Sequence, residues 1–260
     1  MKNKNIIKIV IIVVISLIVI FFGYKGFMFY RYTIEKPENT EDIVKGLKNQ
    51  STMTIKKNVL EESEYITVGQ YKVKNILDGY EEAEDSSKHV KIYRKEVDGK
   101  KYAVQFTLDY NDYQTVDAFT NDVNLYYGEG NLGFLKGDIM SADRKGFLEK
   151  NNIKNDIDFY KFAAENYYIE SNLFTDTKTL KQNYAYNVIV SLSVPQIDGW
   201  IILDGDITGY IMLVGTKTDT PVYQISILED DKSYHITTND PRFKDESFLK
   251  DFVSSIEIIK

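Results

Sequence analysis

The sequence predicts an α+β protein with a mainly antiparallel sheet and packed helices, preceded by one N-terminal transmembrane helix. Three observations carry this. Residues Ile6–Phe22 form an almost uninterrupted apolar run, IIKIVIIVVISLIVIFF. Beyond it, alternating apolar and polar segments are joined by Asp98-Gly99 and Asp204-Gly205, the dipeptide favoured in tight hairpin turns. The order is strands, then helices, then hairpins, without the strand-helix-strand alternation that builds a parallel sheet. Composition agrees: with 43% apolar residues, 27% charged residues and only 4 Pro in 260, the chain has enough apolar surface to offset the entropy of ordering.

A bilayer core of about 30 Å needs about 20 helical residues. Ile6 to Phe29 supplies them if Lys8 and Lys25 reach outward to the headgroups, with Tyr24, Tyr30 and Tyr32 at the far interface. A core helix of a protein this size is rarely apolar on every face for four turns. No small-residue cleavage motif follows the run and there is no cysteine for lipid attachment, so the segment is expected to stay as an anchor. The expected organisation is an anchor at 1–32, a membrane-proximal connector at 33–50, and an extracytoplasmic α+β domain at 51–260, with any subdivision near 130–155. Lys2, Lys4 and Lys8 before the span are balanced by Lys25, Arg31 and Lys36 after it, so loop charge does not orient it. A short basic N-terminus ahead of one apolar segment ordinarily stays inside. That gives a single-pass cell-membrane protein with its C-terminal domain outside. Without the first 32 residues the chain has 27 basic against 39 acidic residues, a net charge of −12 that argues against nucleic acid as a partner.

The elements follow in order. Glu35–Asn49, with Pro37 and Asn39, reads as a connector entering a small helix after the cap candidate Thr40. Thr52–Val59 and Tyr65–Val73 alternate weakly and read as strands. His89–Val97 and Lys101–Leu108 flank Asp98-Gly99, and Tyr102, Val104, Phe106 and Leu108 share one strand face, which predicts a two-residue hairpin. Helical spacing then takes over at Val116, Phe119 and Val123, and at Ile157, Tyr160, Ala164 and Tyr167 behind the cap candidates Asn155 and Asp156. Ser141 is placed to cap a shorter helix through Phe147 and Leu148. Tyr186, Val188, Val190, Leu192 and Val194 alternate with Asn187, Ser191 and Ser193, predicting a strand that Pro195 ends. Asp204-Gly205 separates WIIL from ITGYIMLV, and LEDDKS joins VYQISI to SYHITT, giving two more hairpins. The last stretch, KDESFLKDFVSSIEIIK, puts Phe248, Leu249 and Phe252 on one side of a helix and ends in a strand at Ser255–Ile259.

Two resemblances rest on these features. Only Arg31, Arg94, Arg144 and Arg242 are arginine among 32 basic residues, a bias of AT-rich genomes. With the anchor and the missing cysteines, the layout resembles single-span, membrane-anchored proteins of low-GC Gram-positive bacteria. The ending in a hairpin, a short helix and the strand FVSSIEI resembles the end of the PsbP/Mog1-like α-β-α sandwich. Neither likeness carries a catalytic motif, so neither assigns a site.

The chemistry is narrowed mostly by exclusion. With no cysteine there are no disulfides, thiolate metal sites or cysteine nucleophiles. Gly128-Glu129-Gly130-Asn131-Leu132-Gly133 matches the dinucleotide-binding letters, but a helix rather than a strand precedes it, so it reads as a glycine-rich loop. His89 and His235 are the only histidines, too few for a three-histidine zinc site, and both read as surface or sheet-edge residues. Asp109, Asn111, Asp112, Asp117, Asn121, Asp122 and Asn124 offer oxygen ligands at spacings that do not fit a calcium loop. Glu61, Glu62 and Glu64, and Glu81, Glu82, Glu84 and Asp85, form two acidic clusters whose members could in principle pair for glycoside hydrolysis. The 20 tyrosines suit a core or an aromatic recognition face; Tyr126-Tyr127 and Tyr167-Tyr168 are each expected to turn one ring inward and one outward from a helix. No catalytic, metal-binding or cofactor-binding residue is designated and no cofactor is expected. The functional expectation is a non-catalytic, membrane-anchored extracytoplasmic domain that binds a protein or cell-envelope ligand, in immunity, envelope assembly or sensing. The alternative is a membrane-tethered, carboxylate-dependent hydrolase.

Overall fold

The structure is a computed structural model that describes residues 2–34, 36, 40–109, 111–112, 143–193, 197–216, 218–230 and 232–259. Within them the chain is α+β, with one apolar helix at its N-terminus followed by a mixed, mostly antiparallel sheet and further helices. It divides into two units. One gathers Met1–Glu38, Thr120–Asn152 and Asn166–Ser193; the other gathers Asn39–Phe119, Ile153–Glu165 and Val194–Lys260. The predicted helix around Val116, Phe119 and Val123, the Gly128–Gly133 loop, Ser141 and Tyr126-Tyr127 lie outside the described residues.

The first unit is helical in its described residues. Helix α1 (Lys2–Arg31) runs unbroken for 30 residues, and from Ile9 to Phe22 its large side chains are 45–66% exposed on every face. Exposure changes at Lys25, and Met28 and Tyr32 are buried. Helix α3 (Arg144–Lys150) buries Phe147 and Leu148 as predicted, with Asp143 as its cap, accepting from the Gly146 amide. Helix α5 (Thr177–Ser193) replaces the strand predicted from Tyr186 onward. It starts behind Asp176, whose carboxylate accepts from the Thr179 amide, the usual signature of a helix N-terminus. Residues 182–188 are all buried, so no solvent face imposes a helical period on the sequence, and the alternation of apolar and polar residues reports something else. Its polar members are satisfied sideways: Gln182 donates to Asp143, Asn183 to Ser171, and Asn187 both accepts from and donates to the backbone of Ile169. Phe147 stacks on Tyr186 at 4.6 Å, and Tyr32 meets Tyr184 edge-on.

The second unit holds the sheets. Strand β1 (Gln50–Ile55) follows helix α2 (Thr40–Lys48), which begins where Thr40 was expected to start it. The stretch Tyr65–Val73, predicted as one strand, is a hairpin of β2 (Tyr65–Val68) and β3 (Tyr71–Lys74), because Gly69 turns the chain with a φ of 59°. Next come β4 (Glu81–Glu82), β5 (Val90–Val97), β6 (Lys100–Thr107) and β7 (Asn111–Asp112). Asp98 and Gly99 both have positive φ, the geometry of the predicted two-residue turn between β5 and β6, and Val104 and Phe106 are buried on the predicted face. Strands β8 (Ile197–Gly205) and β9 (Thr208–Val214) form the next hairpin, with the turn two residues later than predicted, at Asp206 and Ile207. Strands β10 (Val222–Glu229) and β11 (Lys232–Thr238) form the third, as expected.

The large sheet has the order β1-β8-β9-β10-β11-β6-β5-β4, with β7 also on β11. Its pairs are antiparallel except β1 on β8, where Gln50 faces Trp200 and Ile55 faces Gly205. The C-terminal segment folds as predicted: helix α6 (Glu246–Ser254), capped by Asp245, is followed by β12 (Glu257–Ile258). Strand β12 does not join the large sheet. It pairs with β3, giving a second sheet of order β12-β3-β2. One face of the large sheet, through Phe106, Ile211, Ile225 and Ile236, shares a core with Val68, Tyr71 and Val73 of the small sheet and with Leu249, Phe252 and Val253 of α6. The Tyr71 hydroxyl lies between the sheets, donating to Thr107 O at 2.5 Å and accepting from the His235 amide at 3.1 Å.

Helices α2 and α4 (Asp156–Glu165) lie on the other face. The Trp200 indole donates to Leu47 O at 2.8 Å, and Tyr160 packs against Trp200 and Tyr210. Asn155 caps α4 through the Asp158 amide, as one of the two predicted candidates. The buried stripe is Phe159, Tyr160 and Ala163, so the expected phase through Ile157, Ala164 and Tyr167 is displaced; α4 ends at Glu165, before Tyr167.

Candidate functional site

The alternation of β10 and β11 gives the sheet two unlike faces. Tyr223, Ile225, Ile227, Tyr234 and Ile236 enter the core, while Ser226, Ser233 and His235 lie on the face toward Tyr210 and α4. His235 is therefore not the sheet-edge residue expected: β11 is paired on both sides, and the residue is half-buried with both ring nitrogens engaged. Its Nδ1 lies 2.9 Å from Ser226 Oγ and its Nε2 lies 3.2 Å from Ser233 Oγ. Ser226 is also bonded to Tyr210, whose hydroxyl donates to Asp156 Oδ2 at 2.9 Å. One proton assignment satisfies every member. Ser233 donates to Nε2, the Nδ1 proton goes to Ser226, Ser226 donates to Tyr210, and Tyr210 donates to the Asp156 carboxylate. The chain of donors ends on the group that most needs them.

This line contains serine, histidine and aspartate, but its geometry is not that of a nucleophile and its base. Two hydroxyls stand between His235 and Asp156, so no carboxylate stabilises an imidazolium, and burial pushes the His235 pKa down to about 4. Ser226 and Ser233 are 0% and 2% exposed, so no substrate carbonyl can approach either oxygen. Burial and the neighbouring Asp156 both push the Tyr210 phenol up, keeping it a neutral donor.

A second polar cluster surrounds Asp240, whose carboxylate is fully buried. Arg242 donates from Nε to Oδ1 at 3.0 Å and from a terminal nitrogen to Oδ2 at 2.6 Å, and it also reaches Ile76 O. Tyr80 donates to Oδ2 at 2.6 Å, and the Lys95 ammonium stands 3.5 Å from Oδ2 and over the Tyr80 ring. Burial alone would raise this carboxyl, but the hydrogen bonds from Arg242 and Tyr80 outweigh it and hold the pKa at about 2. The group is a saturated acceptor that ties Pro241–Lys244 to β5 and to the loop after β3.

No family model matches the chain, and neither does any curated protein or solved structure. Function is therefore read from the chain's own geometry.

Among the described residues the other groups singled out in the sequence do not converge; Asp117, Asn121, Asp122 and Asn124 lie outside them. Glu62 pairs with Lys72, Glu82 with Lys91, and Asp85 makes a forked pair with Arg94. Each carboxylate answers a basic side chain on an adjacent strand. His89 meets Asp109 at 2.6 Å, with both side chains more than half exposed. Among the described residues no three histidine, aspartate or glutamate side chains gather as a metal site. Tyr71, Tyr160, Tyr184, Tyr186, Tyr210, Tyr223 and Tyr234 are core residues, so much of the tyrosine content goes to packing. Tyr167 is buried and Tyr168 half-buried, and both lie in the loop after α4 rather than on a helix that turns one ring outward as expected. The surface that burial leaves least satisfied is the apolar flank of α1. Its most apolar 18-residue window has a mean hydropathy of 2.6 and lies within Lys8–Arg31, long and apolar enough to cross a membrane.

Proposed function

We propose that the chain is a single-span, membrane-anchored protein whose C-terminal α+β part lies outside the cytoplasm and binds a protein or cell-envelope ligand without catalysis, in immunity, envelope assembly or sensing. The observation that carries the reading is the exposure of α1 on every face from Ile9 to Phe22. Apolar side chains turned outward in all directions are stable in hydrocarbon and costly in water. The basic N-terminus with Lys2 and Lys4 stays on the cytoplasmic side. The alternative is a membrane-tethered, carboxylate-dependent hydrolase; of the acidic side chains it would draw on, Glu62, Glu82 and Asp85 are each paired with a basic neighbour.

The anchor is tested by alkaline carbonate extraction of membranes, where the full chain should stay in the pellet; release to the supernatant refutes it. Protease added to intact, wall-stripped cells should digest the chain beyond the connector and spare a fragment of roughly the span's length. Complete protection until lysis reverses the orientation. The binding role is tested by crosslinking the full chain in intact cells and identifying what is captured. A turnover assay in which the chain hydrolyses an envelope polymer would replace binding with catalysis.

A further inference from the structure

We infer that Phe174 is a second membrane contact, an aromatic side chain that the loop 170–176 inserts into the lipid interface beside the point where α1 leaves the bilayer. The inference rests on the anchor reading above. It begins from an anomaly: Phe174 is 77% exposed, although phenylalanine gains the most from leaving water. The exposure is built in, because the loop around it is held by its own hydrogen bonds. The Phe174 amide donates to the Asn172 side chain at 2.9 Å, the Asn172 amide to Thr175 Oγ1 at 3.0 Å, and the Thr175 amide to Asn172 O at 3.0 Å. Asp176 then starts α5 through the Thr179 amide. The ring is thus presented outward from a closed turn.

The position of the turn follows from α1. The Lys25 ammonium donates to Thr175 O at 3.0 Å, the residue next to Phe174. Ile6 to Tyr24 is 19 helical residues, which at about 1.5 Å each spans about 28 Å, close to the roughly 30 Å of a hydrocarbon core. Lys25 therefore stands at the boundary, where a lysine would ordinarily extend its ammonium toward headgroups. Here the ammonium is given to a loop carbonyl, which fixes that loop at the same depth. Tyr24, Phe27 and Tyr30, each about half exposed on α1, lie within about 8 Å of Lys25 along the helix axis. Aromatic rings at this depth are the common interfacial arrangement of membrane proteins. Glu170 and Asp176 flank the turn and are exposed, so the surface that suits it is zwitterionic rather than anionic.

The native chain has no cysteine, so a single one can be labelled. The full chain is reconstituted into phosphatidylcholine vesicles with Phe174→Cys carrying an environment-sensitive fluorophore. A Leu173→Cys variant keeps the phenylalanine, and Leu17→Cys reports the span. The expected result at 174 and 173 is quenching by lipids spin-labelled near the headgroup and loss of quenching by aqueous iodide, with 17 quenched by lipids labelled deep in the chain. If 17 is lipid-quenched while 174 and 173 remain fully open to iodide, the second contact is refuted and the anchor stands. If 17 is also open to iodide, the anchor reading falls and the inference falls with it.

Discussion

Replacing Phe252 by alanine tests the architecture where sequence and structure meet most directly. The ring lies on the inward face of α6, is 0% exposed, and meets Phe243 edge-on at 5.1 Å within the core shared by the two sheets. Truncating a buried phenylalanine typically costs about 3–5 kcal/mol, from lost transfer energy and the cavity left behind. In a unit of this size each kcal/mol moves the melting temperature by about 2–4 °C, so the fall should be about 6–20 °C. Trp200 is the only tryptophan and is buried in the same unit, so its fluorescence during heating of the full chain in detergent reports this transition. Phe248→Ala, which removes a half-buried ring packed on Phe243, should cost clearly less, and Val59→Ala, at an 88% exposed position, should cost almost nothing. Equal losses from Phe252 and Phe248, or a melting temperature within a degree of the parent for Phe252→Ala, would refute the packing described.

Three further outcomes follow from the same unit. His235 is held near 4 against an ordinary value of 6.5, so the unfolded chain takes up the proton first; stability should fall by about 3 kcal/mol as pH drops from 6.5 to 4, and His235→Gln should flatten that limb in denaturant titrations. Asp240 acts further down the same acid limb: its carboxyl is held at about 2 against 3.8, so its contribution is complete above pH 4 and is lost as pH falls toward 2, and Asp240→Asn should remove that dependence while lowering stability at pH 7. Gly46 lies in α2 where an added methyl would collide with Ile197 O, so Gly46→Ala should lower the melting temperature although alanine ordinarily stabilises a helix interior by about 1 kcal/mol.

What was legible in the sequence was local. The Asp98-Gly99 turn is specified by two residues that accept positive φ, and α6 was legible from Phe248, Leu249 and Phe252 at helical spacing, though not its cap Asp245. The β8–β9 hairpin was legible but its turn was not, because β1 extends the ladder through Gly205. The parallel pairing of β1 with β8 joins residues about 150 positions apart and leaves no local trace. Helix α5 was misread because its residues 182–188 are all buried and the side-chain amides of Asn183 and Asn187 are satisfied by neighbouring loops rather than by water. For His235, the signal was present in the polar alternation Ser233, His235, Thr237 opposite Tyr234 and Ile236. What it lacked was the hydroxyl of Ser226 across the ladder, which comes from pairing rather than from sequence.

The transition along α1 shows how a helix with no preferred rotation acquires one. From Ile9 to Phe22 every face is equally apolar and exposed, so nothing in that stretch distinguishes one rotation about the helix axis from another. Over the next turns the faces become unlike. Lys25, Met28, Phe29 and Tyr32 fall on one side at three- and four-residue spacing and are half-buried or buried, while Tyr24, Phe27 and Tyr30 fall on the other and stay exposed. Lys25 is fixed by Thr175 O and Tyr32 by the edge of Tyr184, so both contacts lie on the inward side. The outward rings are thereby aimed by contacts made on the opposite side of the helix. An apolar run supplies depth, and four side chains just beyond it supply direction, which is why the helix continues from its exposed stretch into the folded unit without a flexible joint.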